Sequence, residues 1–335
     1  MVGLSFVDVC TGGGGLALGL EQAGFTPTLL LDNKPVACET VRLNRPKWSV
    51  VEADLRSFDP TEHPESLDVD LLSAGLPRVR SSATILRSGS EEELELLRAT
   101  VYLTHAVQPR ALIVENVPAL VTDSAYDDVR AFVRAELEHL GYELCWFVLN
   151  AADFGVPQVR RQGLLVALRR PWSAVFRPPV PTVAKHTTVG QVLRDSMASR
   201  CWHDAGVWAA QADEVAPTLV GGSENRGGAD LGPRGTKRAW ARMGVNSGSL
   251  ADELPGPEFD WDPDQGASGM VRLTVDQTAR LQAFPDEWRF AGRKTARYRQ
   301  IGHASPPPVG RALGLAVASA LSHPAPGVAG YTSTP

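Results

Sequence analysis

The chain has 335 residues with a formal net charge of −5; 43% of its residues are hydrophobic and 21% charged. That balance suits a globular protein with one large core and a smaller appended unit, and it excludes collagen-like and disordered classes. There is neither a basic segment followed by a short apolar run at the start nor an apolar span of about 20 residues, so no signal peptide and no membrane helix are expected. Cys10, Cys38, Cys145 and Cys201 lie far apart without paired spacing. This argues against a zinc site or a disulfide framework and for a reducing, cytoplasmic setting. The acidic total does not advertise a nucleic-acid binder, but a local basic patch can serve a groove whatever the total.

Residues 4–10 read as a short apolar strand, followed by Thr11-Gly12-Gly13-Gly14-Gly15 and an amphipathic helix over 16–23. Strand, glycine-rich turn and helix make a nucleotide-type unit, in which backbone N–H groups approach a ligand closely. A tight turn alone is the competing explanation, and four consecutive glycines favour binding. A second strand, 28–31, ends in Asp32-Asn33, about 20 positions on, where an acid grips a ribose hydroxyl pair in such folds. A third, 50–53, ends in Asp54. An acid at a strand end is often only a cap; three together favour a common ligand.

The strand over 69–72 runs into a tight loop, Gly75-Leu-Pro77-Arg78-Val-Arg-Ser81-Ser82, at the carboxyl end of a sheet, where open α/β proteins place their chemistry. A helix is expected over 91–107 and a buried strand over 111–114 ending in Glu115-Asn116-Val117-Pro118, whose carboxylate can exchange a proton or cap a turn. A helix over 127–140 and strands over 144–148 and 164–168 follow, the last preceded by Gly155-Val-Pro-Gln-Val-Arg160-Arg-Gln162. Prolines 171, 178, 179 and 181 mark a linker. Residues 180–270 show no sustained helical period and read as a smaller, irregular domain. Arg226, Arg234, Lys237, Arg238 and Arg242 cluster there around Trp240, as candidate phosphate contacts with an aromatic that stacks or packs; a solvated charged face has nearly equal weight. An acidic stretch, 252–264, follows. Thr274 then caps a helix that ends before Pro285, an apolar helix covers 309–321, and a frayed tail starts at His323.

Taken in order, these stretches resemble the DNA cytosine-5 methyltransferases, which use S-adenosylmethionine. Phe6 and the stretch from Asp8 to Gly15 resemble the family's cofactor-loop motif, Asp32 and Asp54 its two following acidic contacts, and residues 73–82 its catalytic loop. Glu115-Asn116-Val117 is identical to its Glu-Asn-Val motif, and residues 155–160 resemble its Gln-x-Arg-x-Arg motif. Residues 280–285 and 300–307 resemble its last two motifs. The resemblance implies a Rossmann-like α/β methyltransferase fold with a small, irregular target-recognition domain: residues 1–175 forming the cofactor-binding domain, 176–271 recognition, 272–325 a return to the large domain, and 326–335 a tail. It implies S-adenosylmethionine held by Phe6, Asp8, Thr11, Gly12, Gly14, Asp32, Asn33, Asp54, Leu55, Gly75, His303 and Ala304, and no metal. Double-stranded DNA would lie in a cleft, contacted by Ser81, Ser82 and the basic cluster, with one cytosine flipped onto Glu115 and Arg160. Such a protein would associate with the nucleoid when bound to DNA.

In this family a cysteine thiolate adds to cytosine C6 and so makes C5 nucleophilic. Here Pro77 is followed by Arg78, whose guanidinium is neither nucleophile nor base at neutral pH. Gln162 stands where the motif has its second Arg, and His303 where it has Asn. No other cysteine matches the catalytic position, and Ser81 and Ser82 have no histidine nearby in sequence to activate them. Two readings stay open: an enzyme with a displaced or modified mechanism, and a non-catalytic recognition or regulatory subunit beside an active methyltransferase or restriction-modification partner. An RNA-directed relative fits less well.

Overall fold

The computed structural model describes residues 3–79, 91–221 and 228–323. Its frame is a seven-stranded sheet built from β1 (Leu4–Val9), β2 (Phe25–Asp32), β3 (Val50–Glu52), β4 (Leu71–Gly75), β5 (Ala111–Asn116), β6 (Tyr142–Asn150) and β8 (Arg161–Arg169). The order across the sheet is β3-β2-β1-β4-β5-β8-β6. The first five strands pair in parallel, and β8 runs antiparallel to both neighbours. Near-continuous apolar runs such as Leu71-Leu72 and Ala111-Leu-Ile-Val114 form these strands because helices cover both faces of the sheet. The carboxyl ends of β1, β2, β4 and β5 therefore share one edge. This is the α/β frame that the resemblance implies, with one antiparallel strand inserted near an edge of a parallel sheet.

On one face lie α1 (Gly15–Gln22) and a long C-terminal helix over Pro307–Leu321, packed on each other. Their contact is made by glycines four apart on each helix. A Cβ at Gly19 would lie 2.4 Å from the Pro307 carbonyl oxygen, and one at Gly310 would lie 2.9 Å from that of Leu16. The opposite face is covered by helices over Glu91–Val107 and Asp127–His139, whose Leu97, Val101, Val133 and Leu137 enter a core with Val7, Leu72 and Val114.

Among the described residues, the region expected to be irregular contains three α-helices, Val189–Ala198, Ala205–Gln211 and Arg234–Arg242, and the strand β9 (Ala216–Pro217), which pairs in parallel with β7 (Gln158–Val159). Helices of seven to ten residues are too short to display a sustained period. The first nevertheless carries a sequence signature, since Thr188 and Gln191 form a capping box. One apolar core runs from Val189 through Trp202, Trp208, Trp240 and Leu273 to Phe284, Tyr298 and Ala304. Trp240 is fully buried and its indole donates to the Leu231 carbonyl, so it packs rather than stacks on a ligand. Among the described residues, no helix is long and apolar enough to cross a membrane, and no cluster of ligating side chains could hold a metal ion.

Candidate active site

The strand tips bring Asp32 and Glu115 within electrostatic reach of Asp8. Asp8, at the end of β1, is fully buried; its two oxygens accept the Ser73 hydroxyl from β4 and the Thr11 hydroxyl from the glycine loop. Burial raises its pKa to about 7 against the pull of those two hydrogen bonds, and Asp32 and Glu115 push it the same way as burial. Asp32, at the end of β2, is also raised by burial; it accepts the backbone N–H groups of Gly12 and Lys34, both at 2.8 Å. Asp32 thus fixes the start of the glycine loop from 20 residues away. Asn33, beside it, is exposed. Asp54, partly exposed, caps the short helix Leu55–Ser57 and pairs with Arg56, whose hydrogen bond holds its carboxyl below the usual range. Leu55 is buried behind it.

The glycine run divides into two functions. A Cβ at Gly12, which sits at φ +54°, would meet nothing within 4 Å. One at Gly13 would meet the Phe290 ring at 2.9 Å, one at Gly14 the Trp288 ring at 2.9 Å, and one at Gly15 the Ser305 carbonyl oxygen at 2.0 Å. The Trp288 indole donates to the Gly13 carbonyl at 3.1 Å. Of the four, Gly12 alone faces open space, its N–H already given to Asp32; the next three glycines admit the returning C-terminal segment. Phe6, expected at the cofactor, is instead a core residue. It is fully buried and meets Phe25 edge-on, deeper in β1 than Asp8 and packed under the helices rather than at the strand tip. At the end of β1 stands Cys10, with a left-handed φ of +54°.

Glu115 lies at the end of β5, next to the central strand β4, and is buried. Burial raises its pKa; hydrogen bonding from Gln162, the nearby Arg78 guanidinium and hydrogen bonding from Ser305 act in the opposite sense. Arg78 is half-buried, and the loss of hydration lowers its pKa while Glu115 supports its charge. Asn116 latches the loop in between. Its Oδ1 accepts the N–H groups of Val79 at 3.0 Å and Val117 at 2.9 Å, and its Nδ2 donates to the Pro77 carbonyl at 3.1 Å. Gly75, at the start of this loop, lies against the Cys10 carbonyl, where a Cβ would be 3.4 Å away.

Gln158, Arg160 and Gln162 alternate inward and are all buried, whereas Val159 and Arg161 face out. Gln162 donates to Ser305 Oγ at 3.0 Å and adjoins Glu115. Arg160 does not face the Glu115 site with its donors. Its Nη1 donates to the carbonyls of Leu219 and Gly302, at 3.1 and 3.0 Å, and its Nη2 to that of His303, at 3.3 Å. The expectation that Arg160 holds a base is corrected accordingly. His303 is exposed and Ala304 buried at the carboxyl end of the helix Lys294–His303. Sequence reasoning does not single out Asn116, Gln162 and Ser305 as site residues, although the Glu-Asn-Val stretch contains the first.

Of the basic cluster, Lys237 is half-buried and Arg238 exposed on the helix Arg234–Arg242. Arg242 makes an ion pair with Glu214 at 2.8 Å. Ser81, Ser82 and Arg226 lie outside the described residues, as does the side chain of Arg234.

The mostly parallel sheet with carboxylates at its strand tips defines a doubly wound α/β architecture with its site at the carboxyl edge, and comparison with known proteins narrows it. The model of the C-5 cytosine-specific DNA methylase family matches residues 4–319. The Type II methyltransferase M.NaeI of Lentzea aerocolonigenes is 42% identical over 328 residues, covering 96% of this chain and 76% of that protein. M.NgoMIV of Neisseria gonorrhoeae, also a Type II methyltransferase, is 39% identical over 319 residues, covering 94% and 97%. Among solved structures, a mutant of Spodoptera frugiperda DNMT2 superposes with a TM-score of 0.64 at 14% identity, covering 94% of this chain and 99% of that one. S. pombe Dnmt2 gives 0.61 at 16%, covering 96% and 99%. These two show the shared fold. The chain belongs to the C-5 cytosine-specific DNA methylase family, whose methyl donor is S-adenosylmethionine.

Proposed function

We propose that this chain binds S-adenosylmethionine and double-stranded DNA and receives a flipped cytosine at Glu115, and that Arg78 prevents it, acting alone, from conventional methyl transfer to C5. The observation that carries this reading is the juxtaposition at the tip of β5 of a buried carboxyl with a raised pKa and a guanidinium in the loop latched by Asn116. A carboxyl whose pKa burial raises holds its proton more readily than a free one and can give it to cytosine N3, the step that makes the ring receptive to a nucleophile. A guanidinium supplies no electron pair for attack on C6.

The residues present fit the cofactor. Gly12 faces open space beside Asp32, and carboxylates at the ends of β1 and β2 with Asp54 beyond β3 suit the hydroxyl and amino groups of a nucleoside. Asp8 and Thr11 would set the loop, with Gly12 and Gly14 in it; Asp32, Asn33, Asp54 and Leu55 would line one side, and Gly75, His303 and Ala304 the other. When bound, S-adenosylmethionine supplies the activated methyl group. Residues 176–271 form the recognition part in this reading, with Lys237 and Arg238 on phosphates.

A second reading, a recognition or regulatory subunit beside an active methyltransferase or restriction-modification partner, is favoured by the state of the thiols. Burial and then Asp32 raise the Cys10 pKa far beyond neutrality; the same two causes raise Cys38 to about 11. Neither supplies a thiolate in place of the missing one. Calorimetric titration of S-adenosylmethionine into the purified chain, with and without duplex DNA, tests the proposal. Saturable binding that DNA strengthens is expected. Absence of cofactor binding in a chain that still binds DNA would overturn the first reading in favour of the second.

A further inference from the structure

Arg160 is 1% exposed, and its three partners are backbone carbonyls rather than carboxylates. Its Nε is shut away from solvent without a hydrogen-bond partner. A buried cation is costly unless something offsets its lost hydration. Here the offset is the carboxyl end of the helix Lys294–His303, whose last two carbonyls, Gly302 and His303, both accept from it. The third carbonyl, that of Leu219, belongs to a different segment, the one that follows β9 and leads toward the basic helix Arg234–Arg242.

The surroundings hold the same two segments together. The Gln158 Oε1 accepts the Leu219 N–H at 2.8 Å, and its Nε2 donates to Gln282 Oε1 at 2.7 Å. A Cβ at Gly302 would lie 2.1 Å from the Gly221 nitrogen, and one at Gly221 would lie 2.9 Å from the His303 ring. Residues 219–221 are thus pressed on the helix end. Arg160 itself immediately precedes β8, whose Gly163 and Leu164 pair with Asn116 and Glu115.

We infer that Arg160 is a positioning residue: its guanidinium clamps residues 219–221 onto the end of the helix Lys294–His303, and so sets the segment that carries Lys237 and Arg238 in register with Glu115. This rests on the proposed DNA-binding reading for its functional consequence but not for the clamp. Loss of the clamp should loosen sequence reading more than it weakens cofactor binding, which touches the clamp only through the His303 backbone.

The test compares the native chain with Arg160→Met, which keeps the length and loses the donors, and Arg160→Lys, which keeps the charge but lacks the planar fork that reaches both segments. Amide hydrogen exchange is measured over 216–221 and over the central strands β1, β4 and β5. In the Met variant, exchange at 219–221 should rise at least tenfold with the central strands unchanged; unchanged exchange at 219–221 would overturn the clamp. Selection from a random duplex pool, with S-adenosylmethionine affinity measured alongside, reads the consequence. The Met variant should lose at least tenfold in preference for the sequence the native chain selects, with cofactor affinity within twofold. The Lys variant should regain the native melting temperature without regaining the preference. An unaltered preference, or an equal loss of cofactor affinity, would overturn the positioning role. A native chain that binds no duplex would refute the DNA reading and leave the exchange result to decide the clamp.

Discussion

Asp8→Asn should stabilise the protein increasingly as pH rises. Asp8 has a folded pKa near 7 against an ordinary value of 3.8, because burial penalises its charged form more than Ser73 and Thr11 relieve it. A carboxyl whose pKa is raised on folding retains its full contribution below pH 3.8 and loses stability as pH climbs to 7. Over the whole window that loss is about 4 kcal/mol at ~1.4 kcal/mol per pH unit. Between pH 5 and pH 8 it is about 3 kcal/mol, since titration of the unfolded chain has already begun at pH 5. The amide does not ionise, and Ser73 and Thr11 can each rotate to bond it. The advantage of Asp8→Asn over the native chain, measured by urea unfolding, should therefore grow by about 3 kcal/mol from pH 5 to pH 8. An advantage that is flat or shrinks with pH would show that the two hydroxyls hold Asp8 ionised, and would refute burial as the controlling effect.

The glycine loop offers a contrast. Gly15→Ala, with its Cβ 2.0 Å from the Ser305 carbonyl oxygen, must push the C-terminal segment away and should cost about 3 kcal/mol or more in urea unfolding. Gly12→Ala meets open space and only the strain of its left-handed φ, about 1–2 kcal/mol, yet should weaken S-adenosylmethionine binding at least tenfold by calorimetry. The opposite ranking would reverse the roles assigned to the two glycines. Reversing Lys237 and Arg238 to Glu should weaken duplex binding and lower the slope of log affinity against log salt by about 2, one for each phosphate no longer neutralised. An unchanged slope in a salt titration removes this helix from the DNA interface.

The sheet was legible because its strands are long apolar runs, and the carboxylates at their ends stand out beside glycine and asparagine. What escaped was set by residues distant in sequence. The functions of Gly13, Gly14 and Gly15 depend on Phe290, Trp288 and Ser305, at the far end of the chain, so a four-glycine run looks like a ligand cradle throughout. Phe6 goes with the loop motif it precedes when read in sequence, although packing against Phe25 and the helices on that face keeps it in the core. The motif resemblance assigns Arg160 to a base; its actual partners are carbonyls, which sequence does not display. The short helices between 189 and 242 offer too few turns to show a period, and only the Thr188–Gln191 box announces one of them.

The most direct test of the central claim is methyl transfer from labelled S-adenosylmethionine to duplex DNA by Arg78→Cys beside the native chain. The substitution places a thiol in the loop held by Asn116, next to Glu115, and removes the guanidinium from that position. Transfer to cytosine C5 by the variant is predicted, at least a hundredfold above any activity of the native chain. Equal activity in the two, or an inactive variant that is folded and binds both cofactor and DNA, would contradict it.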